Sequence, residues 1–171
     1  MDAVRILRGS GNTILKMRTM SGEIRIERTA EANEDFLGLV GLLDEELAVR
    51  DGDEHGFYGQ FNKPVGLGGV VVAYLDGQAV GCGAFKRYED RVAEIKRMFT
   101  RPASRGKRIA GVVLKELELW AAECGFRECI LETGHKQPEA IALYRREGYE
   151  VIPNYGQYAG VENSVCMRKI F

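Results

Sequence analysis

The sequence predicts an α/β domain of the mixed (α+β) kind, a mixed sheet with helices on both faces. Three observations carry this. Asp76-Gly77 stands between two strand-like runs, residues 69–74 and 79–86, as in a tight hairpin. A β-α-β-α unit follows that meander from residue 92 onward. Strand and helix do not alternate from the start, which argues against a doubly wound nucleotide fold.

Taken in order, residues 1–22 have weak periodicity and carry GSGN at 9–12, so they are expected to form an extension leading into a domain of residues 23–171. Residues 24–28 alternate apolar and polar, a strand signal. Asn33 suits an N-cap, and Phe36, Leu39, Val40, Leu43 and Leu47 recur at helical steps, so a helix runs to about residue 49, where Asp51-Gly52 ends it. Residues 54–62, EHGFYGQFN, fit either a short helix or a loop. The hairpin comes next, then a strand over 92–99.

Residues 105–124 form the longest predicted helix. Ile109, Val113, Leu117 and Trp120 make its apolar stripe, with Lys115, Glu118 and Glu123 off it. Gly125 stops it, and a short apolar strand covers 129–132. Residues 138–147 carry proline and Glu139 at the start, Arg145 and Arg146 at the end, and Gly148 beyond, the marks of a helix. Strands over 149–152 and 164–170 finish the chain.

A length of 171 residues suits one domain with a proper core. Net charge is −1, so no global basic field draws the chain to nucleic acid. The longest apolar runs fall far short of the roughly 20 residues that span a bilayer, and no signal-peptide block opens the chain. Cys82, Cys124, Cys129 and Cys166 form no CxxC pair, as expected of free thiols in a reducing, cytoplasmic setting. His55 and His135 sit near no cysteine, which argues against zinc.

Residues 100–118 read TRPASRGKRIAGVVLKELE. Arg101, Arg105, Lys107 and Arg108 crowd a loop that opens into a helix, where unpaired backbone N–H groups already gather positive charge. Gly106, Ala110 and Gly111 would let an anion approach the backbone closely. Charge alone leaves two readings, a solvated basic turn or a diphosphate cradle. Neither GxxxxGK[ST] nor GxGxxG is present.

RGKRIA at 105–110 resembles the Q/R-x-x-G-x-G/A motif of the GNAT (Gcn5-related) N-acetyltransferases. AEIKRMF at 93–99 resembles the strand before that motif, LETG at 131–134 the strand after it, and QPEAIALYRREGYEVIP at 137–153 the family's C-terminal helix and next strand. The resemblance covers about residues 24–171 and is densest over 93–153. One position departs: the pattern's first glycine is Arg108, while Ala110 fits its last place. A side chain at 108 either narrows the cradle or points outward and adds a phosphate contact, and the second suits arginine better.

The resemblance implies a mostly antiparallel sheet with a splayed parallel pair, acetyl-CoA as cosubstrate, and no metal. Pantetheine would pair with the backbone of Arg97, Met98 and Phe99, and the diphosphate would rest on Arg105, Gly106, Lys107, Arg108, Ile109, Ala110 and Gly111. An exposed strand N–H would polarise the acetyl carbonyl. Glu94 matches the place of a catalytic glutamate in some members, and on a regular strand Glu94, Lys96 and Met98 share a face. A Glu94–Lys96 surface pair, with a water chain as base, is the other reading. Tyr144, four residues after Ala140, matches the family's general acid; it also fits a core tyrosine. His55, Phe57, Tyr58, Phe61, Tyr155 and Tyr158 fall in loops that would line the acceptor site, or they simply pack.

The implied reaction is direct attack, in a ternary complex, by the primary amine of a small molecule, amino acid derivative or peptide. Arg108 leaves open a second reading, a domain that holds acyl-CoA as a sensor without turnover. The expected partners exclude nucleic acid and membrane, and the family allows a homodimer through the C-terminal strands.

Overall fold

The computed structural model describes residues 4–8, 13–19, 22–60, 63 and 65–171; GSGN at 9–12, Phe61 and the side chain of His55 lie outside what is described. Nine strands are described: β1 (Val4–Arg8), β2 (Thr13–Thr19), β3 (Gly22–Thr29), β4 (Gly69–Leu75), β5 (Gln78–Glu89), β6 (Val92–Thr100), β7 (Glu128–Gly134), β8 (Glu150–Ile152) and β9 (Ser164–Ile170). They join one sheet in the order β1-β2-β3-β4-β5-β6-β7-β9-β8. Among the described strands only β6 and β7 run parallel; every other pair is antiparallel. The helices are α1 (Glu34–Asp51), α2 (His55–Gly59), α3 (Ile109–Glu123) and α4 (Pro138–Arg146).

Two apolar layers sandwich the sheet. On one face Phe36, Leu39, Val40 and Leu43 of α1 pack on Val70, Val72 and Tyr74 of β4. On the other, Ile109, Val113, Leu114 and Leu117 of α3 pack on Val71 and Ala73. A strand covered on both sides has no polar face, which is why β4 reads as an unbroken apolar run. Asn33 caps α1 by accepting from the Phe36 N–H at 2.9 Å. Asp76 and Gly77 both take positive φ, 48° and 87°, the backbone that a two-residue hairpin turn requires.

The structure extends, resolves or corrects the expectations in four places. Within the expected extension, residues 4–8 and 13–19 form β1 and β2, which continue the sheet antiparallel from β3. In the 54–62 stretch, left open between helix and loop, the described residues include the short helix α2. The helix expected from residue 105 starts at Ile109, because Arg108 sits in the left-handed region (φ 62°) and no helix runs through such a residue. Glu118, expected off the apolar stripe, is buried, and its carboxylate accepts from Lys169 Nζ at 2.7 Å. Neighbouring Glu116 is buried against Arg28 Nε at 2.6 Å.

Candidate active site

The site begins where the one parallel pair comes apart. Val92, Ala93 and Glu94 of β6 pair with Glu128, Cys129 and Ile130 of β7, and there the ladder ends. Both strands continue, β6 to Thr100 and β7 to Gly134. From Ile95 on, the β7-facing edge of β6 therefore has no strand partner, and a cleft opens between them. Glu94, Lys96, Arg97, Met98, Glu132 and Tyr144 are among its lining residues, with Leu43, Leu47 and Asp51 of α1 along one side.

A β-bulge shapes this wall. Arg97 and Met98 together oppose Gly83, between the pairs Cys82↔Phe99 and Ala84↔Lys96. Arg97 takes φ 59°. The extra residue reverses the alternation: Ala93, Ile95 and Met98 face α3, whereas Glu94, Lys96 and Phe99 face α1. Met98 thus does not share a face with Glu94 and Lys96, as a regular strand would have it. The buried Arg97 guanidinium is turned to α1, donating to Asp44 at 2.5 Å and to the Val40 carbonyl at 3.4 Å.

At the far end of β6 the chain enters the cationic loop. Arg101 donates to the Ala79 carbonyl at 2.8 Å. Arg105 donates from Nε to the Thr100 carbonyl at 3.0 Å and from Nη2 to Glu46 at 2.6 Å. Arg108 occupies the N-cap of α3 without a side-chain cap bond, and no acidic residue stands in the first turn. The first N–H groups of α3 have no intrahelical acceptor. The Arg108 side chain points outward, and a Cβ at Gly106 would meet nothing within 4 Å, so the approach is open.

On the α1 face the acid–base groups meet. Glu94 is 2% exposed and fully engaged: Tyr155 donates to it at 3.0 Å, with Lys86 and Lys96 at 3.4 and 3.6 Å. Lys96, its pKa lowered by burial, also reaches the Tyr158 hydroxyl at 3.4 Å. Glu132 accepts from Ser164 Oγ at 2.7 Å, and Tyr58 lies 3.1 Å from the same Oγ. Ser164 spends its only proton on Glu132, so Tyr58 is the donor to Ser164. Burial pushes the Glu132 carboxyl up to about 7, against the pull of Ser164 and Lys96. Tyr144 approaches from α4 on the opposite face, and burial pushes its phenol upward, which keeps it protonated.

The chain matches the acetyltransferase (GNAT) family over residues 29–149. The chain belongs to that family. An IAA acetyltransferase of Azospirillum brasilense is 38% identical over 100 residues, 58% of this chain and 65% of that protein. The N-acetyltransferase YjgM of Escherichia coli is 35% identical over 112 residues, 64% of this chain and 66% of that one. The chain thus spans less than two thirds of either curated relative. Among solved structures, an acyl-CoA N-acyltransferase fold from Klebsiella pneumoniae superposes with TM-score 0.71 at 30% identity, covering 85% of this chain and 95% of that one. The PaiA N-acetyltransferase of Thermoplasma acidophilum, in complex with coenzyme A, shares the fold at TM-score 0.65 and 18% identity, covering 86% and 99%.

Against the GNAT pattern, the structure gathers Glu94, Arg97, Met98, Tyr58 and Tyr144 at one cleft. Phe99 is buried in the α1 layer. Tyr155 and Tyr158 stand behind the cleft, packed edge to face at 5.8 Å, and their hydroxyls reach Glu94 and Lys96. Phe57 is exposed and stacks edge-on against Tyr58 at 5.2 Å. Glu132 was missed from the sequence. Its signal was present in LETG, a carboxylate inside an otherwise apolar strand, but only the structure shows it beside Ser164 in the cleft.

Proposed function

We propose that the chain is an acetyl-CoA-dependent N-acetyltransferase acting on the primary amine of a small molecule, amino acid derivative or peptide. The observation that carries the reading is the splay after Glu94↔Ile130, which leads to an uncapped helix start ringed by Arg105, Lys107 and Arg108. The residues present fit acetyl-CoA. The free edge of β6 offers backbone groups to an extended pantetheine, and the first amides of α3 suit a diphosphate. The thioester of that cosubstrate supplies the activated acetyl group.

The protein's own part follows from the two faces of the cleft. Glu132, near neutral in proton affinity, takes a proton from the acceptor ammonium or from the attacking amine. The Glu94 carboxylate is already engaged by two ammonium groups and a phenol. We assign it the placing of Lys96 and Tyr155. Tyr144, protonated and on the α4 side, donates to the leaving sulfur. Holding amine and acyl group together adds the larger share by proximity.

Calorimetry with coenzyme A tests the binding half: uptake is expected, and Arg105→Glu should abolish it. Thiol release in the presence of acetyl-CoA and a panel of primary amines tests the chemistry. Uptake without amine-dependent release would replace the enzyme by a sensor.

A further inference from the structure

The Arg105 guanidinium that would greet a diphosphate is already engaged by an anion of the chain's own. Glu46, in the last turns of α1, accepts from Arg105 Nη2 on one oxygen at 2.6 Å and from Arg50 Nη2 on the other at 2.9 Å. The second arm of Arg50 reaches Glu139 in the first turn of α4. Four charges therefore run from the loop before α3, across α1, to α4. These helices follow β6 and β7, so the chain of charges crosses the cleft from bank to bank. Arg97 pins α1 at Asp44, half a turn before Glu46.

A carboxylate and a phosphate oxygen present the same acceptors to a guanidinium, so both cannot hold the same edge of Arg105. The second bond of Arg105, from Nε to the Thr100 carbonyl at 3.0 Å, fixes the plane of the group and leaves Nη2 as its directed arm. Glu46 is about one-quarter exposed, Arg105 more so, which makes the pair weak enough to exchange.

We propose that Glu46 is an internal competitor that holds Arg105 until the coenzyme A diphosphate takes it. This inference rests on the acetyl-CoA reading. The tie between α1 and the phosphate loop is exchanged for the ligand, whereas the tie from Arg50 to Glu139 does not involve the ligand's partner and persists. Glu46 thereby sets how tightly the nucleotide is held without touching it.

The test is calorimetry on the full chain with two probes, coenzyme A and phosphate-free pantetheine. Glu46→Gln should tighten coenzyme A by roughly two- to fivefold, the range of a half-exposed ion pair. It should leave pantetheine unchanged, and it should have no effect on coenzyme A in an Arg105→Ala background. Normal coenzyme A binding by the wild type with an unchanged constant in Glu46→Gln overturns the inference alone. So does an equal shift for both probes, or a shift that survives Arg105→Ala. No coenzyme A uptake by the wild type removes the acetyl-CoA reading and this inference with it.

Discussion

At Glu132 one half-buried carboxyl links burial, proton affinity and chemistry. The fold favours its protonated form, so the stabilisation is complete below the ordinary value of 4.5 and is lost as pH rises through about 7. Glu132→Gln is neutral at every pH and should lose less thermal stability than wild type between about pH 5 and pH 8, as melting curves would show. The same titration governs the base. Acetyl transfer should rise through pH about 7 in the wild type. That limb should vanish in Glu132→Gln, with a loss of roughly 10²–10⁴ in rate. Glu94→Gln should keep the limb, because the group that titrates is still present. Tyr144→Phe should slow transfer by a similar order yet bind coenzyme A normally, which separates a general acid from a core tyrosine.

Two elements determine the shape of the cleft, and each hangs on a small residue at a defined position. Gly83 faces the bulge of β6: a Cβ there would stand 2.4 Å from Met98 Sδ and 2.8 Å from Leu117 Cδ1. Gly83→Ala should therefore cost about 1–3 kcal/mol in urea unfolding and disturb the Arg97 wall. Asn33 starts the helix that forms the opposite wall, and Asn33→Ala should cost about 1 kcal/mol. At α3 the sequence and the structure differ informatively. Apolar spacing alone extends the helix back to residue 105, because periodicity does not register a left-handed φ at arginine. That backbone turn is what separates the cationic loop from the helix and leaves the first amides uncapped.

Across the whole molecule, strand order separates stability from chemistry. The β1–β2 pair is separated from β6 by β3, β4 and β5. Leu15 and Met17 of β2 pack on the core that holds Ile24 and Ile26. Removing residues 1–21 should bare the β3 edge, lower the unfolding midpoint and promote association seen by size-exclusion chromatography, while the folded fraction keeps its coenzyme A binding. Local patterns made most of the fold legible. The Asp76-Gly77 turn, the Asn33 cap and the Gly148 stop each depend on a few adjacent residues, and the motif from 93 to 153 carried the family. The sequence by itself thus determined most of the elements from β3 onward, the mixed sheet and the cationic loop, since propensity, capping and hydrophobic period act over short spans. Tertiary structure alone decided how each carboxylate is surrounded. Glu94 and Glu132 look alike as letters; Lys86, Lys96 and Tyr155 surround one and Ser164 the other. Such surroundings are made by neighbours in space, and these come from β5, β6, β9 and the loop between β8 and β9.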